Sequence, residues 1–89
     1  MLALPDKLTQ AEATGCLQGL SAAMQRQTDP AVVVDATALQ EFDSAALAVL
    51  LQLRRQCLAG GRGFSVRAMP ARLANLATLY GIEGLLPQV

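Results

Sequence analysis

The 89-residue chain contains no histidine and no tryptophan, and only three of its residues are aromatic. Without histidine, it lacks the side chain that most often serves as a general base and as a nitrogen ligand for zinc. Nucleotide-binding glycine motifs are also missing. Residues 60–63 (Gly-Gly-Arg-Gly) follow a predicted helix and precede a predicted strand, the reverse of the order in a phosphate-binding loop. We therefore predict a protein that is not an enzyme and that holds no cofactor and no metal ion.

Neither sign of charge is in excess. Seven acidic and seven basic side chains give a formal net charge of zero, and only Arg54 and Arg55 are adjacent bases. Nucleic-acid-binding proteins present a basic surface, so this composition argues against a nucleic-acid partner. The longest apolar run, residues 45–51, has only seven residues, and residues 1–6 lack the basic and apolar regions of a signal peptide. We expect no export and no direct membrane insertion.

Cysteine is scarce. Cys16 and Cys57 lie far apart in the sequence and form no C-x-x-C motif. Both fall at positions of predicted helices that face the core. We interpret them as reduced packing residues of a cytosolic protein rather than as a disulfide or as metal ligands.

The patterns that are present predict one small domain over residues 1–89. Residues 9–12 (Thr-Gln-Ala-Glu) have the form of a capping box, and apolar residues then recur at helical spacing until residues 28–30 (Thr-Asp-Pro) end the helix. Residues 31–34 form an uninterrupted apolar run, which predicts a central strand that is buried on both faces or lies in a parallel sheet. A second helix is predicted from about Ser44 to Ala59, where two glycines stop it.

The last part of the chain predicts a strand and a third helix. Phe64, Val66 and Ala68 alternate with polar residues and are predicted to point inward. Pro70 suits the first turn of a helix and Gly81 suits its end. Residues 82–86 are predicted to form a short strand or a packed tail. At the other end of the chain, the first strand is predicted near residues 2–4 or residues 7–9. The inner face of the third helix is predicted to hold Leu73, Leu76, Ala77 and Tyr80.

These elements give an α/β fold in βαβαβα order. We predict a single domain with a mixed or mostly parallel sheet of about four strands, packed by three helices.

A functional surface is predicted within residues 31–61. Asp35 ends the buried strand, and after a short loop Asp43 and Ser44 open the second helix. The Ser44 hydroxyl is therefore predicted on the first turn of a helix, beside the carboxyl end of a strand, where sites of open α/β sheets gather. The simplest interpretation of Ser44 is a helix N-cap, because serine is a preferred residue there.

Helical spacing from Ser44 divides the second helix into two faces. The face predicted to contact the sheet contains Ala46, Leu50, Leu53 and Cys57. The opposite face is more apolar than contact with water requires. Either Leu47 and Leu58 pack against neighbouring helices and Leu51 is a singly exposed leucine, or this face docks on another protein with Leu51 as its anchor. With the preceding loop, the predicted docking face consists of Leu39, Gln40, Glu41, Phe42, Asp43, Ser44, Leu47, Ala48, Leu51, Gln52 and Arg55.

These residues resemble those of STAS domains, a family named for sulphate transporters and anti-sigma factor antagonists. In that family a buried strand that ends in Asp leads, through a loop of this length, into an Asp-Ser-x-Gly-Leu or Asp-Ser-x-Ala-Leu helix start. Asp35 and residues 43–47 (Asp-Ser-Ala-Ala-Leu) match this pattern. Residues 62–69, 70–76 and 79–86 look like the later elements of the family, so the resemblance covers most of the chain after residue 30.

The resemblance implies one of two binding functions. One is that of a STAS subunit of an Mla-type ABC transporter, a bacterial system of phospholipid transport that maintains outer-membrane lipid asymmetry. Such a subunit docks on the cytoplasmic ATPase through the loop before helix two and that helix, and supports assembly or activity. It would be cytoplasmic and peripheral to the inner membrane through its partner.

The other is that of an anti-sigma factor antagonist, in which a partner serine kinase would phosphorylate Ser44 and so end binding. The short N-terminal third, Ala46 in place of a common glycine, and residues 79–86 favour the transporter subunit. The apolar face could also pair with a second copy of the chain, which would give a weak homodimer.

Overall fold

Three parallel strands form the main sheet, in a computed structural model that describes residues 1–89. They are β1 (Leu2–Ala3), β3 (Ala31–Asp35) and β5 (Gly63–Arg67), with β3 in the centre. The strands β2 (Lys7–Leu8) and β4 (Glu41–Phe42) form a separate parallel pair. The α/β class and the parallel pairing are confirmed, although five strands in two sheets replace the single sheet of about four that we expected.

The three predicted helices are α1 (Gln10–Arg26), α2 (Ser44–Ala59) and α3 (Ala71–Leu79), and a short 3-10 helix covers Glu83–Leu85. The capping box at the start of α1 is confirmed. The Glu12 carboxylate accepts hydrogen bonds from the N–H (2.8 Å) and the hydroxyl (2.6 Å) of Thr9. The bond from the hydroxyl is the main cause of a lowered pKa at Glu12.

Both segments proposed for the first strand are strands, but they belong to different sheets. β1 pairs with β3, whereas β2 pairs with β4. Pro5 lies between β1 and β2, and a proline cannot donate the backbone hydrogen bond that would continue a ladder. The N–H of Leu4 still donates a hydrogen bond of 2.8 Å to the carbonyl oxygen of Asp35, so the chain leaves the main sheet at Pro5 and starts a second pair before α1.

The central strand is less buried than its apolar run suggests. Val32 and Val34 point into the core, whereas Val33 between them is only half-buried. The same alternation recurs in β5, where Phe64 and Val66 are buried and Ser65 is half-buried. The predicted position of the strand in a parallel sheet is confirmed, whereas full burial on both faces is not observed, because Val33 is only half-buried.

The core contains twenty buried residues, none of which is polar or charged. The face of α2 predicted to contact the sheet is confirmed, since Ala46, Leu50, Leu53 and Cys57 are all fully buried. Cys16 and Cys57 are both free, and burial raises the pKa of each thiol. Both thiols therefore stay protonated near neutral pH, which suits the packing role that we assigned to them.

The end of β5 and the end of α3 differ from prediction. Ala68 is exposed and has a φ of 57°, so the strand stops at Arg67 and Ala68 does not point inward. Tyr80 is 58% exposed instead of facing the core. Residues 82–86 pack as a tail that buries Leu86, and Gln88 forms a single bridge to Val66 rather than a further strand.

Candidate partner-binding site

Two helices begin side by side because the short strands before them are paired. In the β2–β4 pair, Lys7 lies opposite Glu41 and Leu8 lies opposite Phe42. The helices α1 and α2 start directly after these strands, at Gln10 and Ser44. The Lys7 Nζ atom lies 3.6 Å from the Glu41 Oε2 atom, but both side chains are exposed and such a pair contributes little to stability.

Asp43, and not Ser44, is the N-cap of α2. The Asp43 Oδ1 atom accepts a hydrogen bond of 2.8 Å from the N–H of Ala45. Ser44 is already the first helical residue, and its side chain is exposed. Aspartate and serine are almost equally good N-caps, so the motif alone did not decide between them. The prediction that Ser44 caps the helix is wrong, and its hydroxyl is left at the surface.

This cap assignment predicts different effects for two neighbouring substitutions. We expect Asp43→Ala to lower the free energy of unfolding by about 1 to 2 kcal/mol, because the first turn of α2 loses its acceptor. We expect Ser44→Ala to change it by less than about 0.5 kcal/mol, as is usual for a surface substitution. Urea denaturation followed by circular dichroism measures both. Equal losses in the two variants would contradict the assignment.

An apolar groove runs between the start of α2 and the end of α3. It has a volume of about 330 Å³. Leu47 forms its floor and is only 3% exposed, whereas Leu51 is half-buried and Tyr80 is mostly exposed. The groove is lined by Ser44, Leu47, Ala48, Leu51, Tyr80 and Ile82.

Tyr80 and Ile82 were missed by the sequence analysis. Helical spacing placed Tyr80 on the inner face of the third helix, but α3 ends at Leu79 and Tyr80 is its C-cap. Gly81 follows with a φ of 71°, so the chain turns away from the helix axis at this point. The sequence did contain a signal for this. Gly81 was predicted to follow the end of the helix, so Tyr80, directly before it, could have been placed at the helix end rather than on the inner face.

Three residues of the predicted docking face belong to the core. Leu39 is 4% exposed, Phe42 is 9% exposed and Leu47 is 3% exposed. The guanidinium carbon of Arg72 lies 4.9 Å from the centre of the Phe42 ring, so a cation–π contact covers part of that side chain as well. All three side chains belong to the core cluster, and of the three only Leu47 lines the groove.

The other residues of the predicted face are exposed or half-buried, and they line more than one hollow. Gln40, Glu41, Asp43, Ser44, Ala48 and Arg55 are exposed, and Leu51 and Gln52 are half-buried. Gln52 lies in a different hollow, between α1 and α2, which it shares with Ala48. Ala48 therefore forms a ridge between two hollows, and Leu51 lies on the α3 side of that ridge.

A protein-family model described as "Mlab, STAS domain" matches residues 1–87 of the chain. The chain belongs to the STAS domain family. Comparison with curated proteins gives no match. STAS domains are in general non-catalytic binding domains, and the small parallel α/β fold of this STAS domain is consistent with that family.

The STAS domain carries no group of three or more cysteine, aspartate or glutamate side chains placed to hold a metal ion. None of its helices is both long enough and apolar enough to span a membrane. The groove between α2 and α3, with the exposed hydroxyl of Ser44 at its edge, overlaps the surface that the sequence predicted for function.

Asp35 lies at the carboxyl end of β3 in this STAS domain, and its carboxylate is held by Thr37. The Asp35 Oδ1 atom accepts hydrogen bonds from the hydroxyl (2.5 Å) and the N–H (3.0 Å) of Thr37. These bonds, of which the one from the hydroxyl has the larger effect, lower the pKa of Asp35 below its usual value.

A lowered pKa means that Asp35 favours the folded state when it is ionised. This contribution is complete above the unfolded-state pKa of about 3.9 and is lost as the pH falls through the lower folded-state value. We expect Thr37→Val to raise the pKa of Asp35, because the hydroxyl donor is removed while the backbone N–H remains. A pH titration followed by NMR measures this pKa, and an unchanged value in the variant would contradict the role of Thr37.

Proposed function

We propose that this STAS domain is a non-catalytic subunit of an Mla-type ABC transporter for phospholipids, and that it docks on the cytoplasmic ATPase of that transporter. The groove between α2 and α3 is the observation that carries the proposal. A half-buried leucine, an exposed tyrosine and a small alanine ridge lie together there, next to an exposed serine. The description of the matching family model, which names Mlab, also supports it.

The chemistry of the groove suits a helix of another protein. Apolar grooves of this kind accept the apolar side chains of an amphipathic helix, and tyrosine is among the residues that contribute most binding energy when a partner buries it. Leu51 and Tyr80 are the natural anchors, and Ala48 is small enough for a partner backbone to approach closely. In this arrangement the protein is cytoplasmic and is held at the inner membrane by the ATPase, without contacting lipid itself.

Affinity purification tests the proposal. The tagged protein is isolated from its native cells in mild detergent, and the proteins that co-elute are identified by mass spectrometry. We expect an ABC ATPase together with a membrane permease. Ser44→Asp should recover much less of the ATPase, because it adds a charge at the edge of an apolar groove, whereas Ser44→Ala should recover as much as the wild type. If no ABC ATPase co-elutes with the wild type, the proposal fails.

The exposed Ser44 hydroxyl favours one alternative, an anti-sigma factor antagonist. A kinase could reach Ser44, since the hydroxyl lies at the surface on the first turn of α2. A phosphate there would be attracted by the helix N-terminus but repelled by the adjacent Asp43 carboxylate, and it would add charge beside the groove. Recovery of a serine kinase, together with phosphorylated Ser44, would favour this function over the transporter.

A further inference from the structure

A single carboxylate joins the starts of two helices that are far apart in the sequence. While the Asp43 Oδ1 atom caps α2, the Asp43 Oδ2 atom accepts a hydrogen bond of 3.1 Å from the N–H of Gln10, the first residue of α1. We call this bond between Asp43 and Gln10 the clasp. Next to it, the carbonyl oxygen of Asp6 accepts hydrogen bonds from the N–H groups of Gln40 (2.8 Å) and Glu41 (2.9 Å).

The clasp has a clear physical basis. The first N–H groups of a helix have no partner within the helix, and each helix start carries a partial positive charge. The paired strands bring two such starts together, and Asp43 is the anionic group that accepts one donor from each. The two carboxylate oxygens have different roles, because Oδ1 accepts from the first turn of α2 and Oδ2 accepts from the first residue of α1.

We infer that Asp43 is a positioning residue for the docking groove. Ser44 follows Asp43 directly, and in the loop before Asp43 the N–H groups of Gln40 and Glu41 donate to the carbonyl oxygen of Asp6, just before β2 and α1. The clasp therefore fixes the first turn of α2, which forms one end of the groove, relative to α1. The effect of the clasp on partner affinity rests on the proposed function, whereas its effect on the loop does not.

Two substitutions remove the clasp from opposite sides and leave the cap of α2 in place. Asp43→Asn keeps an oxygen for the N–H of Ala45, and asparagine is a good N-cap, but its NH2 group cannot accept from Gln10. Gln10→Pro deletes the donor instead. Proline is favoured at the first helical position, and the extended backbone of Thr9 (φ −99°, ψ −178°) suits a residue before proline. Gln10→Ala is the control, because it keeps the N–H.

Amide hydrogen exchange in the free protein is the first readout. We expect the amides of Gln40 and Glu41 to exchange at least about threefold faster in Asp43→Asn and in Gln10→Pro, since loss of one hydrogen bond has an effect of this order. The double variant should be no faster than either single variant, because both remove the same bond. Gln10→Ala should match the wild type. Unchanged exchange in Asp43→Asn and Gln10→Pro would overturn the inference, whether or not any ATPase binds.

Recovery of the ATPase in the affinity purification is the second readout. Both variants that lack the clasp should recover about three- to tenfold less ATPase than the wild type, and Gln10→Ala should recover the same amount. Full recovery by the two variants despite faster loop exchange would overturn the positioning role. If the wild type itself recovers no ATPase, the proposed function fails, and the exchange measurement alone decides whether the clasp holds the loop.

Discussion

Replacing Leu51 with aspartate is expected to abolish recovery of the ATPase while the domain stays folded. In the free protein the side chain at this position is only half-buried, so a carboxylate there can remain hydrated. In the complex it would be enclosed between Tyr80, Ile82 and the partner, and burial of an unpaired charge costs several kcal/mol. The amount of ATPase recovered in the affinity purification measures the loss of binding, and thermal unfolding of the variant shows whether the domain stays folded.

Leu58→Asp is the matched control. Leu58 lies on the same helix and is 51% exposed, but it is not part of the groove. We expect this variant to recover the ATPase at the wild-type level and to unfold within a few degrees of it. Equal loss of binding in both variants would show that the contact is not the groove. A collapse of the fold in Leu51→Asp would show that Leu51 is a core residue.

Leu47→Ala is expected to destabilise the domain strongly. Leu47 is 3% exposed, and the alanine would leave a cavity between α2 and its neighbours. Substitutions of this type cost about 2 to 5 kcal/mol, which is a large part of the stability of a small domain. We expect a melting temperature lower by roughly 8 to 40 °C, because each kcal/mol shifts a domain of this size by about 4 to 8 °C.

An alanine substitution at Leu51 tests whether this residue, unlike Leu47, lies at the surface. Leu51→Ala should cost no more than about 1 kcal/mol, since a half-buried side chain loses less apolar contact. If Leu47→Ala left the melting temperature unchanged and only weakened binding, Leu47 would be a contact residue and the original prediction of a wider docking face would be restored. Calorimetry on the two alanine variants decides this.

Local patterns were sufficient for the helices and the main strands. The capping box before α1, the two glycines after α2 and the alternation in β5 each act within a few residues of the chain. Helical spacing also placed Ala46, Leu50, Leu53 and Cys57 on one face of α2, and all four are buried. These features could be predicted without any knowledge of tertiary structure.

Features that depend on tertiary contacts could not be predicted in this way. A strand of two residues has no detectable period, so β4 was not predicted, and the segment of β2 was only one of two places proposed for the first strand. Spacing placed Leu47 on the outer face of α2, but the folded domain buries this side chain, and α2 and α3 are in contact. The bond from Gln10 to Asp43 spans the two helix starts and depends on the same pairing of strands.

The most direct test of the central claim is photo-crosslinking from the groove in native cells. A photoreactive amino acid is incorporated at Leu51 in one strain and, as a control, at Ala22 on the exposed side of α1 in another. We predict that the Leu51 position crosslinks to an ABC ATPase and that the Ala22 position does not. A crosslink to the ATPase from Ala22 alone, or a crosslink from Leu51 to a different protein such as a serine kinase, would contradict the account.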